Sequence, residues 1–557
     1  SNSRRWENEN FLTYNKTFNT NHNTSILVGQ GAEEATNNST FIRGNNIAAN
    51  SIVVVQGVPS GPNLSGNSNF EERGRLYYFS RLHYDYKGKY GVDLSYRREA
   101  SSRFNKEDRW GTFPAISALW VISDEKFFEP LTKVVSFFKF RASYGITGRD
   151  PISYYGRYIS LTGGAGYQGS STGAGGGANL TYNGASIAYP NYGGTAAVPG
   201  ISWESAPQTN IGADLNLFND RISISTDFYS RDNKNLVFDV PVQITTGFVT
   251  ARNNYVDIRN RGAEFTITSQ NLSPRSPLKW TTTLNFAYNQ NYILKLPYDN
   301  RDFGFGDPWL RRVLTVGQPA FQFLVWDVQG IYNTTGDVPV DPLTGRRMTW
   351  NTNPSFSPGD PIRRDVNGDY MINDFDRIYM GDPNTRVTGG FINSLNYKGL
   401  SLQVLCNFIT GRKLWNGYVS DKMQDAGNTN PYVRWGPTSA ISSDFRGAQF
   451  WFPGSTDAQF PGLLVNGVDK WHIAQSFYVE DASFFRLKNI MLGYVIPSNI
   501  TRRVKMKTLR VYGSIDNIWV YSKATVPDPE PVSPNGYSNG NDYPLPRKFT
   551  VGLELNF

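Results

Sequence analysis

The chain is poor in the residues that most chemistry requires. One cysteine, Cys406, in 557 residues excludes an intrachain disulfide and a cysteine metal cluster. The 3 histidines, His22, His83 and His472, lie far apart without ligand spacing, which argues against a zinc enzyme. No apolar run reaches about 18 residues, so a helical membrane protein is excluded. No block of basic residues is present either. The formal charge of +8 is spread along the chain, as for surface solvation or contact with anionic lipid, not gathered to grip nucleic acid. Acidic pairs such as Glu71-Glu72 and Asp124-Glu125 read as exposed turn carboxylates. Ser, His and Asp occur in no nucleophile motif, and the glycine run at 163–178 follows no strand–helix pattern that would cradle phosphate. Nothing here points to an enzyme. No signal peptide is visible, which says nothing about secretion in a chain that starts at Ser1.

What the chain has is aromatic residues and glycine. Aromatics make up 14%, with 32 Tyr, 35 Phe and 13 Trp beside 53 Gly, yet the mean hydropathy is −0.44. That combination suits a β-barrel whose lipid face is diluted by a polar inner face and long loops. The last stretch, Arg547 to Phe557, shows the pattern best. Phe549, Val551, Leu553, Leu555 and Phe557 fall on one face, and Lys548, Thr550, Gly552, Glu554 and Asn556 on the other. About 10 residues of this kind cross a bilayer as a tilted strand. By itself the segment would equally end a soluble sheet.

The rest of the chain decides between them. Alternating segments come in pairs: 5–15 with 23–30, Tyr78 to Tyr86 with Tyr90 to Tyr96 across Lys87-Gly88-Lys89, and 114–123 with 135–146. Ile211 to Leu217 pairs with Ile222 to Phe228 across Asn219-Asp220, and 259–270 with 280–290. Phe391 to Tyr397 pairs with Leu400 to Phe408 across Lys398-Gly399, 483–496 with 507–516, and the final strand closes the series. Short turns alternate with long connections at about 31–75, 147–207, 291–385, 411–482 and 521–546. Tight turns on one side and elaborate loops on the other are the signature of an outer-membrane barrel. Propeller blades would repeat at a regular ~40–50 residues. The count is about 15 segments, and single-chain bacterial barrels have an even number. The expectation is an all-β, transmembrane antiparallel barrel in which 1–557 is a C-terminal part that begins in or near an extracellular loop.

The blocks SYRREASSRF (95–104), RWGTFPAISALWVISDEKFF (109–128) and FKFRASYGITG (138–148) resemble the SusC-like (SusC/RagA) TonB-dependent outer-membrane transporters of Bacteroidetes. The likeness continues through ISWESAPQTNIGADLNLFNDRISISTDFYS (201–230), VDIRNRGAEFTI (256–267), DVNGDYMINDFDRIYMGDPNT (365–385), ASFFRLKNIMLGYVIP (482–497) and YPLPRKFTVGLELNF (543–557). The resemblance implies a barrel of about 22 strands closed by an N-terminal plug, of which this chain supplies the C-terminal strands without the plug. It also implies import of an oligosaccharide or oligopeptide across the outer membrane, a SusD-like surface lipoprotein as lid, and TonB–ExbB–ExbD acting through the N-terminal part. Which nutrient is carried, and which residues touch it, does not follow from the likeness. The alternatives are a plugless pore or docking barrel, and a soluble carbohydrate-binding or hydrolytic β-protein.

The sharpest local motif is DVNGDYMINDFD, residues 365–376. Asp365, Asn367 and Asp369 stand at positions 1, 3 and 5, the Met371 carbonyl at 7, Asn373 at 9 and Asp376 at 12. Calcium takes six to eight oxygens, and alternate residues of a tight loop supply them. Tyr370 stands where such loops carry glycine, and Asp376 where they carry a bidentate glutamate. The expectation is a structural Ca2+ that cross-links a long external segment; the plain alternative is a polar turn. Trp309, Trp326, Trp415, Tyr432, Trp435, Trp451 and Trp471 lie outside the alternating segments, where they would stack on a ligand or pack within loops.

Overall fold

Alternation at period two becomes antiparallel strand along almost the whole chain. The computed structural model describes residues 2–45, 64–158, 161–163, 181–182, 185–186, 188–190, 195–197, 200–306, 310–351, 355–420, 449–462, 473–504, 506–540 and 545–556. The main sheet has 16 strands, one of which, Thr195–Ala197, lies off the path and pairs in parallel with Thr250 to Arg252. The others follow in chain order: β1 (Asn2–Phe18), β2 (His22–Gly44), β3 (Leu64–Tyr86), β4 (Tyr90–Ser101), β5 (Trp110–Val121), β6 (Val135–Arg149), β7 (Glu204–Leu217), β8 (Ile222–Pro241), β9 (Thr250–Gln270), β10 (Leu278–Lys295), β11 (Val387–Tyr397), β12 (Leu400–Thr410), β13 (Phe484–Val495), β14 (Thr508–Ser522) and β15 (Lys548–Asn556). Each pairs with its sequence neighbour, which is the order expected of an up-and-down sheet. No helix among the described residues is long and apolar enough to cross a membrane.

The short turns fold because their residues accept left-handed backbone. Lys87 and Gly88 have φ of 56° and 69°, and Lys398 and Gly399 have 46° and 89°. Positive φ at both central positions is the type I′ requirement of tight hairpins, and it matches the right-handed twist of the strands.

One expectation is corrected. The stretch 31–75 is not a loop: β2 and β3 stay in register out to the pair Gly44 and Leu64, so most of that span is hairpin. The sequence hides this because NNSTFIRG and LSGNSNFEERG carry polar residues on both faces. A ribbon solvated on both sides has no apolar alternation to read.

By contact, the chain divides into two compact units: residues 1–126, 139–211 and 229–259, and residues 127–138, 212–228 and 260–557. In the first, Phe104, Ile152, Ile201 and Trp203 form a small buried cluster, with Phe113 and Val237 packed on it. In the second, the long connections fold on cores of their own. Trp326, Tyr332, Val338, Met348, Phe356, Ile372 and Ile473 make one, and Leu310, Phe323, Val325, Trp415, Ala474 and Tyr478 another. Burial of these side chains, at about 25 cal/mol per Å² of apolar surface, offsets the entropy of ordering such long segments.

Candidate functional site

The strands of the first unit present two unlike faces. Ile26, Leu82, Leu94 and Ile116 stand in one cross-strand row. They are 40%, 37%, 42% and 47% exposed. Val92, Tyr78, Tyr84 and Tyr96 share that face by register and are exposed as well. At the other end of the sheet order, Phe549, Val551 and Leu553 of β15 alternate with polar residues and are 72%, 82% and 64% exposed. Apolar strand faces of this kind are not left to water, whereas hydrocarbon demands them.

The opposite face of β1 to β4 carries charge. Glu33, nearly buried, accepts from Arg5 at 3.0 Å and from Arg73. Arg75 bridges to Asp150 at 2.7 Å, and Asp150 also accepts the Ser101 hydroxyl at 2.9 Å. Arg97 lies 2.8 Å from Glu99 and stacks over the Tyr77 ring at 4.1 Å. The Tyr77 hydroxyl sits 2.7 Å from Glu7 and 2.9 Å from Glu9. Its single proton serves one of them at a time.

Glycine makes this reach possible. Tyr77 pairs with Gly31, and Gly31 with Glu9. A Cβ at Gly31 would meet the Tyr77 ring at 2.3 Å, so the ring occupies the space a side chain would need and carries its hydroxyl across to β1. Phe79 over Gly29, Phe408 over Gly389 and Tyr512 over Gly552 repeat the arrangement between cross-strand partners. An aromatic ring laid over a cross-strand glycine pins the register at that point.

The six positions singled out for calcium lie on one loop tied by hydrogen bonds to its own backbone. Asp365 accepts the N–H groups of Gly368 at 2.7 Å and Tyr370 at 3.0 Å. Asn367 accepts from the Asp369 N–H at 3.1 Å, Asp369 from that of Met371 at 2.8 Å, and Asn373 from that of Phe375 at 2.8 Å. The Met371 carbonyl accepts from the Asn373 amide at 3.2 Å. Asp376, fully buried, closes the loop by accepting from Val366 at 2.9 Å and Asn373 at 2.7 Å. Tyr370 takes the left-handed conformation, φ 56°, that its position in such loops requires. In this geometry the carboxylates turn to backbone N–H groups. Among the described residues no group of three or more His, Cys, Asp or Glu side chains gathers as a metal site does.

Of the loop aromatics, Trp326 and Trp415 are core residues, 4% and 0% exposed. Their surroundings are intramolecular: Trp326 stacks under Arg377 at 3.9 Å and donates its indole N–H to the Asn373 carbonyl at 2.8 Å. Trp451 is half-buried beside Gly359. Trp309, Tyr432, Trp435, Trp471 and His472 lie outside the described residues, as does most of the glycine run at 163–178. Sequence reading missed the charged network on β1 to β4. The available signal was that Arg73, Arg75, Arg97 and Glu99 stand at odd positions, opposite in parity to Leu76, Tyr78, Leu94 and Tyr96.

An antiparallel sheet with an exposed apolar face and a charged reverse defines an outer-membrane β-barrel, and the comparisons agree. Over 568 residues the chain is 27% identical to the TonB-dependent receptor P3 of Formosa agariphila, covering 99% of this chain and 52% of that protein. It is 27% identical to the TonB-dependent receptor SusC of Bacteroides thetaiotaomicron over 500 residues, 86% of this chain and 43% of that one. Its fold matches the structure of the RagAB peptide transporter with a TM-score of 0.78 at 22% identity, over 100% of this chain and 55% of that one. No family model matches. Over nearly its whole length the chain is similar to SusC-like TonB-dependent receptors, and its strands are those of an outer-membrane β-barrel. It spans about half the length of the curated relatives it matches, and those relatives are receptors and transporters, not enzymes.

Proposed function

We propose that the chain forms barrel wall and external segments of a TonB-dependent importer of an oligomeric nutrient, an oligosaccharide or an oligopeptide. A SusD-like surface lipoprotein would lid the external side. A plug carried by the remainder of the relatives' length would be rearranged through TonB–ExbB–ExbD. The observation that carries the reading is the pairing of a lipid-type apolar face with a reverse face of Arg, Glu and Tyr on the same strands. A polar inner wall gives a plug or a hydrated oligomer charged and hydrogen-bonding partners that can exchange as the bound state opens and closes. The SusC and RagAB likenesses support the class of importer, and the wide external connections support a ligand larger than a single sugar or amino acid.

The test is deletion of the gene followed by uptake of labelled oligosaccharides and oligopeptides by whole cells. Loss of uptake of one class establishes the cargo. Unchanged uptake of every oligomer refutes import and leaves a structural or docking barrel. Mass spectrometry of what co-purifies in mild detergent addresses the partners: a plug-bearing polypeptide and a surface lipoprotein are expected. A structural Ca2+ at Asp365, Asn367, Asp369, Met371, Asn373 and Asp376 belongs to this proposal, supported by oxygen donors at alternate positions of one loop.

A further inference from the structure

β3 pairs with β4 only from Arg75 to Tyr86, whereas it pairs with β2 as far as Leu64. β4 and β5 therefore end beside the middle of β3, and a step is left in the sheet. A cavity of about 570 Å³ opens there, walled by Trp6, Glu34, Glu72, Arg109, Trp110 and Arg157, with Tyr154 and Tyr155 from the connection after β6.

The level of this step in the membrane follows from strand length. β4 and β5 are 12 residues long each, and β4 starts at the short turn Lys87-Gly88-Lys89, beside which β5 ends; about 9–11 residues carry a tilted strand across the hydrocarbon. The exposed row Ile26, Leu82, Leu94 and Ile116 lies between that turn and the cavity. The cavity thus falls where hydrocarbon gives way to head groups. Its edge has the make-up of such a boundary. Trp6, Leu76 and Trp110 share the face of Tyr78 and Leu82 by register. Tyr78 stacks on Trp110 at 6.2 Å, and Arg98 lies over Trp110 at 5.1 Å. Aromatic rings and long cations collect at this depth because each has an apolar body and a polar end.

The chemistry of the wall narrows the occupant. Arg109 uses its backbone carbonyl to accept from Ser101 and from the Trp203 indole, while its guanidinium has no partner among the described residues and its Nε is shielded from water. Among the described residues Arg157 donates only to neutral oxygens, the Phe104 carbonyl and the Tyr158 hydroxyl, each at 2.6 Å. Among the described residues, two guanidinium charges therefore stand without a carboxylate partner. Planar, five-donor guanidinium groups match phosphate. Across the cavity Glu34 accepts the Trp6 indole N–H at 3.1 Å, and Glu72 is exposed and offers free acceptors for hydroxyl groups. Aromatic faces, hydroxyl acceptors and unmatched guanidinium groups around one space describe a sugar ring that carries an anionic substituent.

We propose that this cavity holds the phosphorylated sugar head group of a glycolipid of the surrounding outer leaflet. The acyl chains would lie along the exposed apolar face beneath it. The site rests on the outer-membrane placement of the chain and is independent of what is imported.

The test uses the full chain in mild detergent and three probes: an acylated, bis-phosphorylated glucosamine disaccharide, the same disaccharide without acyl chains, and phosphatidylglycerol. The acylated glycolipid should bind the wild type most tightly. Arg109→Ala should weaken it by about tenfold, the loss of one charge-assisted contact, and Arg109→Lys by less. Because the Arg109 guanidinium makes no hydrogen bond or ion pair among the described residues, the thermal midpoint of Arg109→Ala should stay close to that of the wild type. The proposal is overturned if Arg109→Ala binds within about twofold of the wild type. Equal affinity for phosphatidylglycerol would mean generic anion binding. Equal affinity for the deacylated disaccharide would make the ligand a soluble sugar; either result rejects the glycolipid.

Discussion

Removing one cation should release the Pro-rich segment that follows β14. Arg486, near the start of β13, has a side chain 3% exposed, and its Nη2 donates to Asp528 at 2.5 Å. Its Nε lies 3.0 Å from Glu530. Asp528, 8% exposed, otherwise accepts the Glu530 N–H at 2.9 Å. Arg486→Met keeps most of the volume and strands Asp528 with that one donor. Breaking a buried pair from one side costs about 3–5 kcal/mol. Glu530 is 31% exposed and keeps Lys488 at 3.3 Å, so its share is small and the lower figure, about 3 kcal/mol, applies. Each ~1.4 kcal/mol is tenfold in an equilibrium constant, so local opening should become roughly a hundredfold more frequent. Hydrogen–deuterium exchange of the detergent-solubilised protein should show that acceleration in amides of 525–537, with β2 to β4 unchanged. Asp528→Leu combined with Arg486→Met should cost less than Arg486→Met alone, because no charge is left stranded. Acceleration of less than about threefold in the single variant, or a double variant worse than the single, would refute the reasoning.

Three further outcomes are expected. Glu125, in the connection after β5, accepts from Lys89 at 2.8 Å, from the Tyr90 hydroxyl and from the Trp120 indole, and these donors hold its carboxyl down from 4.5 to about 2. Because the folded value is depressed, its stabilising contribution is complete above 4.5 and is lost as pH falls toward 2. Glu125→Gln should flatten the thermal midpoint against pH in that window, and an unchanged profile would reject the assignment. Gly31→Ala should destabilise the protein by about 1–3 kcal/mol through collision with the Tyr77 ring, read by urea unfolding, and Tyr77→Ala in the same chain should recover part of the loss. Calcium should protect the segment 365–376 from proteolysis and displace terbium bound there, both effects disappearing in Asp369→Ala; protection that is indifferent to calcium would leave the loop a self-sufficient turn.

Much of the fold was open to reading because it is written locally. Period-two alternation and the Lys-Gly turns locate β4, β11, β12 and β15 from a dozen residues at a time, and the loop at 365–376 announces its turns by Asp and Asn at alternate positions. What stayed hidden depends on partners far away in the chain. The outer halves of β2 and β3 are strands only because they have each other, their polar residues carrying no periodic signal. Trp326 and Trp415 could in sequence either stack on a ligand or pack within loops; the connections fold cores around them, and no local pattern tells a buried indole from a free one. Tyr77 reaches Glu7 and Glu9, some 70 residues earlier, because Gly31 leaves room between them.

The sequence by itself therefore determined the class, an antiparallel outer-membrane barrel, since lipid on one side and water on the other impose alternation residue by residue; its likeness to the SusC-like transporters rests on separate blocks of sequence. Only the tertiary structure decided which charges meet on the inner face, which aromatics are spent in cores, and where the sheet steps down to leave a cavity at the edge of the membrane. Those features are set by register between strands, and register is a property of the pair.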